Sequence, residues 1–401
     1  MRVNTSDWWG PPKKFSAKSE ERKISWLELF YDLVYVIAIS KMTHHLATHL
    51  NVSGFLDYTY FFAMIFWGWL NGSQYHDLHG TTGLTTILMT LWQMLIVAGL
   101  VVTIGSSSQN LVFNANIAVM ALQLFITYLW WSVGIYDKEH RQLNKPYTFF
   151  FLASFALMFL TLFLEQPYLR IVFFITLILN FIPPFIIYRI LKGRNVDFSL
   201  SASMTERLGL FTIIIFGEVV LGVINGVSAL NQISVQIGIN FVLAILIVFA
   251  LWWLFFTLVS DRPCKKGFQK SSLMQIFYIP TLMALGIISV AFTGLFENDL
   301  HPENNQTDLI KIGFGTAICV FLLGVNILLY FLEYTPKFEA FKKRIQRILS
   351  VTIVGFAILT LAKIHFSLLC YLGTILGVLL IAIIALNQSW YAKQNKTKSI
   401  E

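Results

Sequence analysis

Three carboxylates fall inside runs of sequence that are otherwise apolar enough to lie in hydrocarbon. Glu28 and Asp32 belong to Trp-Leu-Glu-Leu-Phe-Tyr-Asp-Leu-Val-Tyr-Val-Ile-Ala-Ile (26–39), and Glu218 closes Glu-Arg-Leu-Gly-Leu-Phe-Thr-Ile-Ile-Ile-Phe-Gly-Glu (206–218). A carboxylate at the centre of a bilayer costs about 2.5 to 3.5 kcal/mol on insertion scales, so intramembrane acids are the default functional candidates. Glu28 and Asp32 are four residues apart, which places them on one helix face about one turn from each other. Two such groups in low dielectric do not both ionise cheaply, and the pair is suited to holding a proton or binding a cation. The plainer reading of Glu28 is a cap on the first helical turn, close to Arg22 and Lys23. Glu218 follows Gly217 and precedes Gly222-x-x-x-Gly226, a spacing that lets another helix approach closely. It needs a partner or a water-filled cavity, and a neutral acid hydrogen-bonded between helices is its structural alternative.

Other polar groups carry weaker signals. Glu206 and Arg207 sit at the mouth of the second run, where an ion pair within or between helices is expected. The segment Asn71–His79 contains His76, Asp77 and His79, which are metal ligands by type but lack the spacing of a zinc motif; a polar vestibule or helix-end network is expected, and no metal. Lys41 is expected to snorkel or to pair with an acid. His44 and His45 are candidates for a proton relay or for interfacial positions. Gln93, Gln123, Asn180 and Asn326 suit interhelical hydrogen bonds. Cys264, Cys319 and Cys370 fit no metal spacing and read as free thiols. There is no P-loop, no Ser-x-x-Lys, no His-Glu-x-x-His and no haem-attachment motif, so neither an enzyme nor a cofactor is expected.

The elements that position these residues follow from composition. The chain has 401 residues, of which 56% are hydrophobic and only 12% charged. A soluble domain carries about 25% charged residues, and the mean hydropathy is +0.68. The class is an all-α polytopic membrane helix bundle. Twelve apolar runs have the length that crosses a bilayer, at about 26–48, 55–71, 84–105, 111–133, 147–165, 168–190, 207–228, 235–259, 273–296, 309–333, 348–364 and 366–387. All of the 29 Lys and Arg residues except Lys41, Arg170, Lys311 and Lys363 fall in the tails or the even-numbered connections. The positive-inside rule then puts both termini in the cytoplasm. That distribution explains the pI of about 9.2 as a topology signal, and nucleic acid is not an expected partner. The polar first 25 residues have no apolar core of a cleavable signal peptide. The expected organisation is an N-terminal tail (1–25), a six-helix half (26–192), a cytoplasmic connection (193–206), a second six-helix half (207–387) and a C-terminal tail (388–401).

Short words recur between the halves. The first run begins Trp-Leu-Glu-Leu-Phe and the seventh Glu-Arg-Leu-Gly-Leu-Phe. The second ends Trp67-Gly-Trp-Leu70 with Asp77 beyond, and the eighth ends Trp252-Trp-Leu-Phe255 with Asp261 beyond. A 6 + 6 duplication, common in transporters, is a possible origin.

At these residues the chain resembles a known family. Leu27–Ser40, followed by His44-His45-Leu46, resembles the opening signature of the bacterial low temperature requirement A (LtrA) family. Glu206–Glu218 resembles its second signature and Trp252–Phe255 its third, in family order. The resemblance implies a multi-pass protein of the bacterial cytoplasmic (inner) membrane, linked by name to growth in the cold. It implies no assigned substrate. Glu28, Asp32, Glu206, Arg207 and Glu218 match the motif acids and Arg. Two departures stand out: Thr257 where family members often carry an acid, and Ile279-Pro280 where a His often precedes a Leu-Pro stretch. Phe30-Tyr31-Asp32 downstream of Arg22 also has a looser similarity to two-repeat potassium channels related to the lysosomal channel family.

The expected function is a proton- or cation-coupled secondary transporter of a small solute or ion, in which protonation of Asp32 and Glu218 releases one repeat to rock against the other. An ion channel of two six-helix repeats is the alternative. A membrane scaffold or stress-adaptation protein is the third reading. The expected partners are the lipid bilayer and the solute, and a homo-oligomer is possible. The charge asymmetry makes a direct prediction: a topology reporter fused after Lys398 should read cytoplasmic, and a periplasmic signal would overturn the orientation.

Overall fold

The computed structural model describes residues 11–14, 23–81, 83–105, 111–138, 141–191, 200–230, 234–260, 262–299, 306–334, 339–362 and 367–398. They form helices α1 (Trp26–Thr48), α2 (Val52–His79), α3 (Leu84–Gly105), α4 (Leu111–Tyr136), α5 (Arg141–Leu160), α6 (Tyr168–Phe181), α7 (Pro183–Leu191), α8 (Ala202–Ser228), α9 (Val235–Leu258), α10 (Phe268–Asp299), α11 (Gln306–Phe331), α12 (Glu339–Leu361) and α13 (Leu368–Lys398). α6 and α7 together make one candidate span, Tyr168–Ile190. Pro183 and Pro184 separate them, because proline has no N–H for the helical ladder.

Ten helical segments among the described residues are long and apolar enough to cross a membrane. α1 and α2 are not among these ten, although 23 and 28 residues correspond to about 34 and 42 Å at about 1.5 Å per residue. Burial explains the discrepancy. On α1 the polar side chains Glu28, Tyr31, Asp32 and Tyr35 form the buried stripe, while Trp26, Phe30, Leu33 and Ile37 are exposed. The helix is apolar outside and polar inside, the reverse of a soluble amphipathic helix and the pattern expected of a helix facing lipid. α2 is buried on all faces from Tyr60 to Ser73, so its hydropathy answers to protein neighbours. Residues 71–79, expected beyond the end of a span, continue α2. Asn71, Ser73, Tyr75, His76 and His79 are buried there, and Gly80 ends the helix.

The described residues divide into two compact units. The first is residues 1–211 with 266–273, and the second is 212–265 with 274–401. The division falls inside α8, whose first turns are anchored in the first unit, as shown below; residues 193–199 of the connection expected from sequence lie outside the described residues. In the first unit, α1, α4 and α6 pack against α2, and α5 packs against α4 and α6. Ser25 caps α1 through a reciprocal box with Glu28, and Asn51 caps α2. Gly68 and Gly72 face the neighbours closely. A Cβ at Gly72 would run into the Tyr31 hydroxyl and the Gln93 amide, and one at Gly68 would run into Leu122.

In the second unit, α11 packs on α12, and α13 on α9 and α12. α10 is the most enclosed candidate span, with 78% of its apolar window buried. Gly222 and Gly226 of α8 meet α10 directly: a Cβ on either would strike Ser289 or Thr293 backbone. Ser289 Oγ donates to Glu218 O at 2.9 Å, and Thr293 Oγ1 to Gly222 O at 3.0 Å. The close approach expected of Gly222-x-x-x-Gly226 is therefore made to α10. Glycine at position 72 is testable. Gly72→Val should lower Tm by roughly 2 to 10 °C, as overpacking of about 1 to 3 kcal/mol implies. Gly99→Ala, where nothing lies within 4 Å, should not lower it. Equal melting of the two variants in detergent would contradict this packing.

Candidate functional site

The polar stripe of α1 meets Arg207 inside the first unit. Arg207 is 1% exposed and Asp32 0%. The guanidinium grips Asp32 from two nitrogens, Nη2 to Oδ1 at 2.5 Å and Nε to Oδ2 at 3.3 Å. Its third nitrogen, Nη1, reaches Glu28 Oε1 at 3.4 Å. Trp69 Nε1 adds a third bond to Asp32, to Oδ1 at 2.7 Å. Glu28 keeps its other oxygen for the helix start, where Oε2 accepts from Ser25 N and Oγ, both at 2.9 Å. Both sequence readings of Glu28 thus describe one side chain: it caps α1 and shares Arg207 with Asp32.

A cage of rings surrounds the guanidinium. Its carbon lies 5.5 Å from the Tyr31 ring centroid and 5.9 Å from that of Trp69. Cation–π attraction of this kind strengthens where water is excluded. Phe211, one turn along α8, packs on Trp69 and Phe66 with centroids 4.3 and 5.8 Å away. Arg207 and Phe211 are what hold the first turns of α8 in this unit. Behind Tyr31 a second layer orders the site: Gln93 Nε2 donates to Tyr31 Oη at 2.8 Å and Tyr35 Oη at 2.7 Å. The His76 ring nitrogen Nε2 and Thr90 Oγ1 lie 2.9 Å apart, and Tyr31 meets the His76 ring edge-on.

The structure therefore brings Glu28, Asp32 and Arg207 together, with His76 behind Tyr31. Asp77 is half-buried on α2 and Glu206 is exposed. Glu218 is buried within the second unit. Gln123 and Asn180 exchange amide bonds at 2.9 and 3.0 Å, and Asn326 donates to Ser350 at 3.1 Å, as their types suggested. The three cysteines are free. Sequence reasoning missed Trp69, Tyr31 and Tyr35 as members of the site. A signal was present, since Tyr31 and Tyr35 flank Asp32 on its own face and a buried indole N–H needs an acceptor.

A second feature lies at the other end of α1. Lys41, His44, His45 and His49 line a pocket of about 890 Å³ with Asn116 of α4. These residues stand roughly 13 to 25 Å beyond Asp32 along the chain at about 1.5 Å per residue. The His45 and His49 rings are 4.3 Å apart. Asn116 is 2% exposed; its amide nitrogen donates to Thr161 at 2.9 Å, while Oδ1 has no hydrogen-bond partner among the described residues.

With this geometry in view, the comparisons are specific. The family described as "Bacterial low temperature requirement A protein (LtrA)" matches residues 23–386. The chain belongs to that family. A curated relative, "Uncharacterized protein RA0937" of Rhizobium meliloti (strain 1021), is 24% identical over 262 residues, or 62% of this chain and 62% of that protein. The match spans less than two thirds of that relative, and its printed name carries no activity. In this LtrA protein Glu28 and Asp32 of α1 are both bound to Arg207 of α8.

A buried ion pair is held by its partners, and removal of one partner leaves an uncompensated charge. Arg207→Met should destabilise the fold by about 3 to 5 kcal/mol. The triple variant Arg207→Met, Asp32→Asn, Glu28→Gln should recover much of that loss. Thermal unfolding and folded yield in detergent read both, and wild-type stability of Arg207→Met alone would show that the pair carries no weight.

Proposed function

We propose that this protein is a proton- or cation-coupled transporter of the bacterial cytoplasmic membrane, with Asp32 as the group that exchanges the coupling ion. One observation supports the reading. A wholly buried carboxylate shares its counter-charge, Arg207, with a second carboxylate. Because Glu28 draws on the same guanidinium, a proton or small cation can take the place of Arg207 at Asp32, and low dielectric makes its arrival and departure large energetic events.

Exchange at this place acts on the structure through named bonds. A proton on Asp32 weakens its charge-assisted bonds to Arg207, which are about twice as strong as neutral ones. Arg207 then leans toward Glu28, and the first turns of α8 lose their strongest tie to α1. Glu218, buried farther along the same helix in the second unit, is the second carboxylate of this reading. The pocket at the far end of α1 has the size of a small-molecule site. The Lys41 ammonium in its lining favours an anionic solute, and the open Asn116 carbonyl favours one that also carries a hydrogen-bond donor. The reading assigns no catalytic step and needs no cofactor.

The test is flux per folded molecule in liposomes under an imposed ion gradient. Asp32→Asn leaves one guanidinium facing one carboxylate, so the variant should fold. Glu218→Gln keeps shape and hydrogen-bonding capacity. Both should lose most of the gradient-driven flux. Wild-type flux in both folded variants would end the transporter reading and favour a membrane scaffold, whereas unitary currents across a planar bilayer would favour a channel.

A further inference from the structure

A cluster of cations in the second unit takes no part in the site above. Beyond α9 the chain makes a short antiparallel bridge between Cys264 and Leu332. Lys265 N–H donates to Phe331 O at 2.8 Å, and Glu333 N–H to Pro263 O at 2.9 Å. This pairing sets Arg262 and Lys265 beside the end of α11. The Arg262 guanidinium carbon lies 4.5 Å from the Tyr334 ring centroid, and Lys265 Nζ 4.9 Å from that of Tyr330. Lys342, in the first turns of α12, reaches the same two rings at 5.3 and 5.8 Å. Its Nζ donates to Tyr330 O at 3.4 Å, and the Lys265 side chain lies against it.

The arrangement is unfavourable for a protein alone. Lys342 is only 4% exposed, and a buried ammonium is costly without a counter-ion. It stands near the start of a helix, where the backbone dipole repels cations. Lys265 adds a like charge beside it. Glu339, one turn earlier, attracts Lys342 from an exposed position without forming an ion pair. Among the described residues, the ion pairs that form involve Arg170 and Arg207, and Arg262, Lys265 and Lys342 enter none. Tyr334 points to the same need. It is 8% exposed, and its hydroxyl has no hydrogen-bond partner among the described residues. Burial pushes its phenol upward against the pull of Arg262, so it stays protonated and able to donate.

A guanidinium, two ammonium groups, a phenol O–H and a helix start thus share one small region, and all of them seek an acceptor of negative charge. A tetrahedral oxyanion answers every one of them, since several oxygens accept at once and Arg matches phosphate in geometry as well as charge. We propose that Arg262, Lys265, Lys342 and Tyr334 form a phosphate-binding site, filled by the phosphodiester of an anionic phospholipid headgroup or by the phosphate of a free solute. The positive-inside charge pattern assigns this end of the helices to the cytoplasmic face, where anionic lipid is at hand and basic pockets between helices hold lipid headgroups.

The full chain, purified in detergent, tests this by its melting temperature during titration with phosphatidylglycerol, phosphatidylcholine or inorganic phosphate. Phosphatidylglycerol should raise Tm saturably and phosphatidylcholine should not. Lys342→Gln and Arg262→Gln should each weaken half-saturation about tenfold, the size of one lost charge-assisted hydrogen bond. Tyr334→Phe, which removes a hydroxyl alone, should weaken it less and guards against a Lys342 variant that does not fold. Lys138→Gln, at an exposed basic position of the first unit, should bind as wild type does. A saturable gain with inorganic phosphate alone, sensitive to Arg262→Gln, keeps the site and names a free phosphate as its ligand. The proposal fails if no phosphate form shifts Tm, or if Arg262→Gln and Tyr334→Phe respond to phosphatidylglycerol as wild type does.

Discussion

The bond between Arg207 and Asp32 is the constraint on which the first unit is arranged. Each partner alone would be far too costly in a region without water. Together they are tolerable only if their remaining hydrogen-bonding capacity is also met. That requirement accounts for several features at once. Trp69 donates its indole N–H to the same carboxylate. α1 turns its polar stripe inward and its apolar stripe outward. Gly68 and Gly72 keep α2 close enough for Tyr31 and Gln93 to complete the shell. The first turns of α8 join the first unit while the remainder of that helix belongs to the second.

The same constraint explains what was legible in the sequence. Most spans face lipid on one side, so their hydropathy announces them, and ten of them stand out by length and composition alone. The acids of α1 were also visible, because charge in an apolar run is rare and demands a reason. What sequence concealed was the partner. Arg207 lies 175 residues from Asp32; the ion pair expected at this helix mouth, within or between helices, forms between helices, and the sequence did not say with which acids. The extent of α2 was concealed for a related reason. A helix enclosed by protein need not be apolar, so residues 71–79 read as a polar vestibule or helix-end network beyond the span, although they continue the helix. Repetition of short words also misled in detail: Trp67 and Trp69 are buried, whereas Trp252 and Trp253 are partly exposed, so the matched Trp pairs serve different surroundings.

The two units hold buried charge in different ways. The acid-rich cluster of the first unit is closed by an internal Arg, and its carboxylates are anchored by a cap, an indole and a guanidinium. The cation-rich cluster of the second unit is supported by aromatic rings and one backbone carbonyl, and among the described residues its cations enter no ion pair. Ring faces attract cations but do not neutralise them. Membership in the LtrA family fits a membrane protein of this construction.

The central claim is that Asp32 gains and loses a coupling ion while Arg207 holds it. Difference infrared spectroscopy on the reconstituted protein addresses it most directly, because a carboxylic acid and a carboxylate absorb in separate regions. A step to acid, or removal of the coupling cation, should produce a protonated-carboxyl band that is absent in Asp32→Asn and shifted in Arg207→Lys. A band that persists unchanged in Asp32→Asn, or a carboxylate signal that never responds to either step, would show that Asp32 is a fixed structural ion and would contradict the account.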